Sequence, residues 1–379
     1  LSQVGHPLRQ WRGGRWTATP AWSSLKRETF DADGELQLSP RWASPIGAPD
    51  LTLFPIRFKA GSVSFHAGLE FGMLHLGLWG LSFLVRAGLI RNLATWAVPL
   101  RWLADRFLSL GTDRGGMRVR IIGRRQDGVA VERTWQLIAS AGEGPFVPAL
   151  PAYALLRRLA DGLPWPPGAR PCLDDLDLPA FDAARSSLAM RTSVRERRAP
   201  TLYEAVLGDR AWAALPAAVR DLHDLQDQAV FAGLSAVDAA PRILPRLLRL
   251  AMGMPESAAE LPVTVTLERI GRSEKWTRQF GRYRFSSVLS RAKDGTLRER
   301  FGLLSFEVAL TGGSDGISMP VNRAWLLGIP LPRWFVPISD TREWVDEPGR
   351  FCFDVAVSLP FCGPVIRYTG WLIRQGQLA

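Results

Sequence analysis

The sequence predicts an α+β fold in two parts: an N-terminal α+β region, then a helical lead-in to an antiparallel β-meander that is strongly curved or closed into a barrel. Three observations predict it. In residues 350–359, and at Val263, Val265 and Leu267, large apolar residues fall at every second position, the period of a strand with one wet and one buried face. Lys293-Asp294-Gly295 and Glu347-Pro348-Gly349 supply turns between successive strands, with no helical pattern between them. The 379 residues, 47% of them hydrophobic, suffice for two cores.

Residues 1–65 read as short strands and loops. Residues 8–11 and 16–18 flank the turn Arg12-Gly13-Gly14, and 51–58 and 62–66 are further strand candidates. A strongly apolar stretch follows, residues 71–85 and 89–110, interrupted by Arg86, Arg91, Arg101, Asp105 and Arg106. Its first run is shorter than the roughly 20 residues a membrane-crossing helix needs. Two readings stand beside a transmembrane one. It is a helical pair buried in the chain, or an arginine-flanked hairpin that lies on a membrane or lines an apolar pocket.

A hairpin over 117–123 and 129–139 turns at Gln126-Asp127-Gly128, and a helix over 153–160 leads to the proline-rich loop 164–172. Residues 185–200, rich in Ser, Ala and Arg without an apolar period, read as a solvated linker. This places the domains at 1–187 and 201–373, with the linker at 188–200. Thr201 is expected to cap a helix over 202–207. Helices over 217–226 and 242–252 follow, and the stripe Ile243, Leu244, Leu247, Leu248 and Leu250 is expected to pack on the sheet.

Composition excludes several classes. The net charge is +11, yet of 47 basic residues only Lys26, Lys59, Lys275 and Lys293 are lysine. The arginines are scattered, without a nucleic-acid-binding signature, so no nucleic-acid partner is expected. Cys172, Cys352 and Cys362 are too few for a disulfide framework. His6, His66, His75 and His223 lie far from them in sequence, so no zinc spacing exists. A reduced, metal-free cytoplasmic protein is expected, peripheral to the inner membrane if the apolar hairpin is interfacial. Gly115-Gly116 precedes a strand, and no G-x-G-x-x-G occurs, so no cofactor site is expected in this chain.

The apolar helical pair, then Asp113-Arg114-Gly115-Gly116-Met117, Trp135, Gly144-Pro145, Pro148-Ala149 and Gly168-Ala169-Arg170-Pro171, resembles the C-terminal half of saccharopine-dehydrogenase-like proteins over residues 1–187. The resemblance implies the substrate and dimerisation half of an NAD(P)-dependent oxidoreductase, whose cofactor-binding Rossmann domain would precede this chain and whose partner would be a second copy. The start at Leu1-Ser2-Gln3, without an initiator Met, leads to the same expectation of a fragment. A second set resembles a bacterial family known as domain of unknown function 4166. It comprises Trp276-Thr277-Arg278, Glu299-Arg300-Phe301-Gly302, Gly328-Ile329-Pro330-Leu331-Pro332, Gly349-Arg350-Phe351 and Tyr368-Thr369-Gly370-Trp371. This likeness covers residues 200–373. It implies a fusion behind a dehydrogenase-like half and no activity.

Among polar residues of the C-terminal part, Arg278, Glu299, Asp346, Arg350, Asp354 and Tyr368 form either a cluster inside a barrel that receives an anionic or polar ligand, or ion pairs on the wet face of a sheet. Trp276, Trp325, Trp334, Trp344 and Trp371 line a cavity in the first reading and fill core in the second. Asp113 and Arg114, at a loop-to-strand junction, are substrate contacts or turn residues. His66 and His75 are proton donors of a reductase or, for His75, a satisfied core histidine. No catalytic set emerges from residue order. The competing class is a non-catalytic module that binds a small molecule, a lipid or a membrane surface.

Overall fold

The structure, a computed structural model, describes residues 1–30, 38–163, 167–360 and 362–375. Chain contacts divide it into two compact units. The first gathers residues 1–8, 19–47 and 65–198; the second gathers 9–18, 48–64 and 199–379.

The chain opens with the expected hairpin, β1 (Pro7–Arg12) and β2 (Arg15–Pro20). In the first unit, β3 (Lys26–Phe30) and β4 (Leu38–Pro45) pair antiparallel. Residues 51–58, expected as a strand, are instead α1 (Asp50–Phe58) of the second unit. Asp50 puts a carboxylate in the first turn, and Lys59 stops the helix in a left-handed conformation. Of the strand expected over 62–66, only a bridge from Val63 to Trp11 forms, and β5 is confined to His66–Ala67.

The apolar stretch folds as α2 (Gly72–Arg86), a 3-10 turn (Leu93–Trp96) and α3 (Ala97–Asp105). It is not a buried pair. The residues α2 buries are His75, Ser82 and Val85, and α3 buries none, while Met73, Leu89, Val98 and Trp102 stand in solvent. The polar His75 and Ser82 turn inward because Ser44 and the Trp22 carbonyl receive them. Among the described residues no helix is long and apolar enough to cross a membrane.

Next come β6 (Gly115–Arg124) and β7 (Ala130–Ala139), then α4 (Leu150–Ala160), α5 (Leu178–Ala184) and β8 (Met190–Arg198). Residues 164–166 of the proline-rich loop lie outside the described residues. The segment expected as a linker is largely β8, paired with β7 from Met190↔Ala139 to Arg198↔Val131. An edge strand needs backbone pairing more than an apolar period. Its charges are held by Glu132 on Arg197 and by Arg125 on Glu196. Helices α4 and α5 cover one face of this sheet around Leu137, Leu150, Ala184 and Met190.

The second unit begins with three short helices, α6 (Leu202–Leu207), α7 (Asp209–Ala214) and α8 (Ala217–His223). Then follow β9 (Gln228–Ala239), α9 (Ile243–Met252), β10 (Ala258–Ile270), β11 (Ser273–Phe280), β12 (Tyr283–Arg291) and β13 (Leu297–Phe301). The remaining strands are β14 (Leu304–Val308), β15 (Thr311–Gly313), β16 (Gly316–Ser318), β17 (Val321–Leu326), β18 (Ile329–Pro330), β19 (Ile338–Val345), β20 (Phe351–Leu359) and β21 (Gly363–Arg374).

They form one 13-stranded antiparallel sheet in the order β15-β16-β19-β20-β21-β9-β10-β11-β12-β13-β14-β17-β18. It is not a closed barrel. Its edges are the three-residue β15 and the two-residue β18, too short to seal a seam. The sheet nevertheless curls, since β17 near one edge touches β19 near the other. Gly233 and Gly370 bring β9 and β21 close, where a Cβ would strike the Trp371 or Leu234 carbonyl. Helices α6–α8 pack on the inner face. Tyr203, Trp212, Val219 and Leu222 join Leu267, Phe280, Leu297 and Phe351 in one core.

Helix α9 corrects a further expectation. Its stripe does not pack on the sheet: Ile243, Leu244, Leu247 and Leu250 are exposed, and Pro245 and Arg249 are the buried residues. The Arg249 guanidinium donates to the carbonyls of Ala240 (2.8 Å) and Val365 (2.9 Å) at strand ends, which turns the helix inside out.

Candidate functional site

Alternation along β11 sends Glu274, Trp276, Arg278 and Phe280 to the inner face of the second unit, where α6 and α8 meet them. Glu274 is 2% exposed. It accepts from Trp276 Nε1 (3.0 Å) and from the backbone N–H of Leu202, the first residue of α6. Thr201, expected to cap that helix, sits at the cap position with its hydroxyl unpartnered; the sheet carboxylate takes the role. Burial pushes the Glu274 carboxyl up, against the hydrogen bond from Trp276 and the proximity of His223.

The rings above it form a stack. His223, at the end of α8, lies 3.7 Å from Tyr203 and 5.5 Å from Trp276 by ring centroids, all within 27° of parallel. His223 Nε2 donates to Glu343 Oε2 of β19 at 2.5 Å, and its Nδ1 has no partner. The Tyr203 hydroxyl donates to Met319 Sδ (3.9 Å). Burial raises the Tyr203 phenol well above its ordinary range, and the carboxylates of Glu343, Glu274 and Glu299 add to this.

Toward solvent the stack continues into Arg278, whose Cζ lies 5.2 Å from the Trp276 ring, with Phe285 and Phe301 at its flanks. Arg278 Nη1 donates to Ser287 Oγ of β12 (2.9 Å), and Nη2 to Glu299 Oε1 of β13 (3.3 Å). Desolvation works to lower the guanidinium pKa, but the Glu299 charge raises it above the ordinary value. The Arg278 and Glu299 side chains keep 14% and 19% of their surface exposed, whereas His223 is wholly buried and Glu343 nearly so. Tyr368 of β21 packs edge-on against Phe280 (5.3 Å). Burial carries its phenol to about 12, with Arg278 opposing and Glu299 and Glu343 adding.

Of the residues singled out in the sequence, Trp276, Arg278, Glu299 and Tyr368 thus come together. Arg350 and Trp371 do not. They lie on the opposite face, the guanidinium 4.4 Å over the indole and paired with Asp346 (2.8 Å). Asp354 pairs with Arg367 (2.6 Å), Arg298 stacks on Trp325 (4.2 Å), and Trp334 and Trp344 are exposed. In the first unit, Asp113 Oδ2 accepts from the Ala141 N–H (3.0 Å) in a neighbouring turn, and Arg114 is exposed. His75 is a satisfied core histidine. Its Nε2 bonds Ser44 Oγ (2.9 Å), its Nδ1 accepts from the Leu69 N–H (3.4 Å), and desolvation lowers its pKa. His66 sits in β5 opposite Pro45. Among the described residues, no group of three or more His, Cys, Asp or Glu is placed to hold a metal.

Tyr203, His223, Glu274 and Glu343 escaped the sequence reading. The available signal was strand parity, since Glu274 shares the face of Trp276 and Arg278, and Glu343 that of Val345.

A search of curated proteins finds no match to this chain. A family model described as domain of unknown function (DUF4166) matches residues 215–372, which hold α8, the large sheet up to Leu372 of β21 and every side chain of the inner cluster except Tyr203. The DUF4166 likeness therefore falls on the open sheet and on α8, the last of the helices that pack on its inner face.

Proposed function

We propose that the second unit is a binding module for a small amphiphile with an anionic head, received at Arg278. The reading is carried by one observation. A guanidinium is held in place by Ser287 and Glu299, among Trp276, Phe285 and Phe301, on a side chain that keeps 14% of its surface exposed. A guanidinium presents five N–H donors in a fixed fork, and its two internal bonds leave donors for a carboxylate or phosphate. The His223–Glu343 pair lies beyond the Trp276 ring, closed to solvent, and serves to fix the floor rather than to react. Titration calorimetry with dodecanoate and dodecyl phosphate tests the reading. Binding is expected for the native chain and at least about tenfold weaker for Arg278→Gln, which loses a charge-assisted pair. No Arg278-dependent heat from either probe overturns it.

For residues 1–187 we infer the substrate and dimerisation half of an NAD(P)-dependent oxidoreductase working in the cytoplasm, with the nucleotide held by a separate domain. Besides the sequence resemblance, the exposed apolar face of Met73, Leu89, Val98 and Trp102 supports it, a surface that a second copy would cover. Light scattering is expected to show a dimer that Val98→Glu with Trp102→Glu dissociates. A monodisperse native monomer, or micromolar NADPH binding by this chain alone, would count against the reading.

A further inference from the structure

Antiparallel register sorts the turns of the large sheet into two ends. At one end lie the turns β10–β11, β12–β13 and β19–β20, formed by Gly271-Arg272, Lys293-Asp294-Gly295 and Glu347-Pro348-Gly349. These are polar, as turns ordinarily are. The other end gathers the β11–β12, β13–β14 and β17–β18 turns, the start of β19 and helix α9. There the chemistry is reversed. Leu303 sits in the β13–β14 turn, and Leu327 and Ile329 at β17–β18, each about two-thirds exposed. Trp334 and Phe335 follow in a 3-10 turn (Arg333–Phe335) and lead to exposed Ile338.

Helix α9 completes this rim. Arg249, 5% exposed, is held by the strand-end carbonyls of Ala240 and Val365 and fixes which face of the helix points away. That face carries Ile243 and Leu250, 80% and 76% exposed. Exposed arginines lie beside the apolar residues: Arg242 at the N-cap of α9 and Arg246 on it, Arg282 in the β11–β12 turn, Arg284 at the start of β12, and Arg333 beside Trp334. The Glu256 carboxylate acts on the Arg282 guanidinium.

We propose that this rim docks the second unit onto an anionic phospholipid surface. An interfacial helix with apolar residues on one side and arginines beside them inserts its apolar face at the headgroup boundary while the cations meet lipid phosphates. Trp334 has the amphipathic ring that such boundaries favour. Charge decides against a second copy as the cover, because a two-fold contact of this rim with itself would set its arginines against one another. The inference is independent of any ligand at Arg278.

Co-sedimentation of the full chain with phosphatidylcholine vesicles, with and without phosphatidylglycerol, tests it. Binding is expected only with the anionic lipid and is expected to fall with added salt. Leu247→Glu with Leu250→Glu, and separately Leu327→Asp with Ile329→Asp, are each expected to weaken partitioning by about tenfold or more while circular dichroism stays native. Arg246→Gln with Arg333→Gln is expected to weaken it about tenfold. Because the two apolar pairs lie on different elements, a folding defect in one leaves the other to report. Equal binding to neutral vesicles overturns the proposal. So does binding that survives both apolar pairs but is lost in Met73→Glu with Trp102→Glu, or a rim variant that changes only the lipid-free mass.

Discussion

His223 Nε2 and Glu343 Oε2 meet at 2.5 Å in a part of the core where the imidazole is wholly buried and the carboxylate nearly so. The bond ties α8 to β19, across the inner face from the Trp276 ring that His223 also touches. Removing one partner leaves the other polar and unpaired in a desolvated site. Glu343→Ala is therefore expected to cost about 3–5 kcal/mol of stability, and the double variant His223→Phe, Glu343→Leu to recover most of it. Urea unfolding of the native chain, His223→Phe, Glu343→Leu and the double variant forms a thermodynamic cycle, and additive losses in the double variant would show that the pair is not coupled.

Glu274 faces the opposite cost. Its raised pKa means that ionisation is disfavoured in the folded chain, so its contribution to stability is full below the ordinary carboxyl value and declines as pH rises through the folded value. Glu274→Gln keeps an acceptor for Trp276 Nε1 and the Leu202 N–H and removes the charge. The variant is expected to be more stable than the native chain at neutral pH by about 1 kcal/mol, a gain that shrinks as pH falls toward 4.5. A variant less stable at both pH values would mean that Glu274 is held ionised by a partner.

Tyr368 carries the alkaline counterpart. With a folded value of about 12 against an ordinary 10.0, its stabilising effect is complete below pH 10 and lost as pH rises toward 12. The two-unit difference corresponds to at most about 3 kcal/mol. Tyr368→Phe is expected to lack this component, so its urea midpoint should fall less steeply than that of the native chain between pH 10 and 12. Parallel curves would place the phenol in solvent.

Hairpin turns were legible in the sequence because glycines at positive φ mark them, Gly295 and Gly349 among them. The sequence also named Arg278, Glu299 and Tyr368 within one candidate cluster on an inner face, with Trp276 as its candidate lining. It did not say which polar residues on that face were buried, because Glu274 and Glu343 read as surface carboxylates until the Leu202 N–H and the His223 imidazole are placed against them. Strand β8 was hidden by its arginines, which an edge strand tolerates. The stripe of α9 was read correctly as amphipathic but assigned to the wrong side. Periodicity names two faces and leaves open which one finds a partner.

That side is decided by Arg249. Two carbonyls at the ends of β9 and β21, those of Ala240 and Val365, lie beneath α9, and the guanidinium donates to both through Nη1; the Val365 carbonyl accepts from the Ala240 N–H (3.2 Å) as well. A buried acceptor left unmade costs about 1–3 kcal/mol, comparable to exposing one leucine of the stripe. Arg249→Met keeps much of the stem volume and removes the donors, so it is expected to lower stability by about 1–3 kcal/mol. Arg249→Lys, with a single ammonium in reach of the same carbonyls, is expected to recover about half. The orientation of α9 has its own readout, the accessibility of a cysteine placed at Leu247. In the native background it should react with maleimide at the rate of a solvent thiol. In Arg249→Met the helix is released to turn its leucines toward the sheet, and labelling should slow by about tenfold. Unchanged labelling alongside the stability loss would mean that Pro245 and the helix ends, rather than the arginine, fix the inverted face.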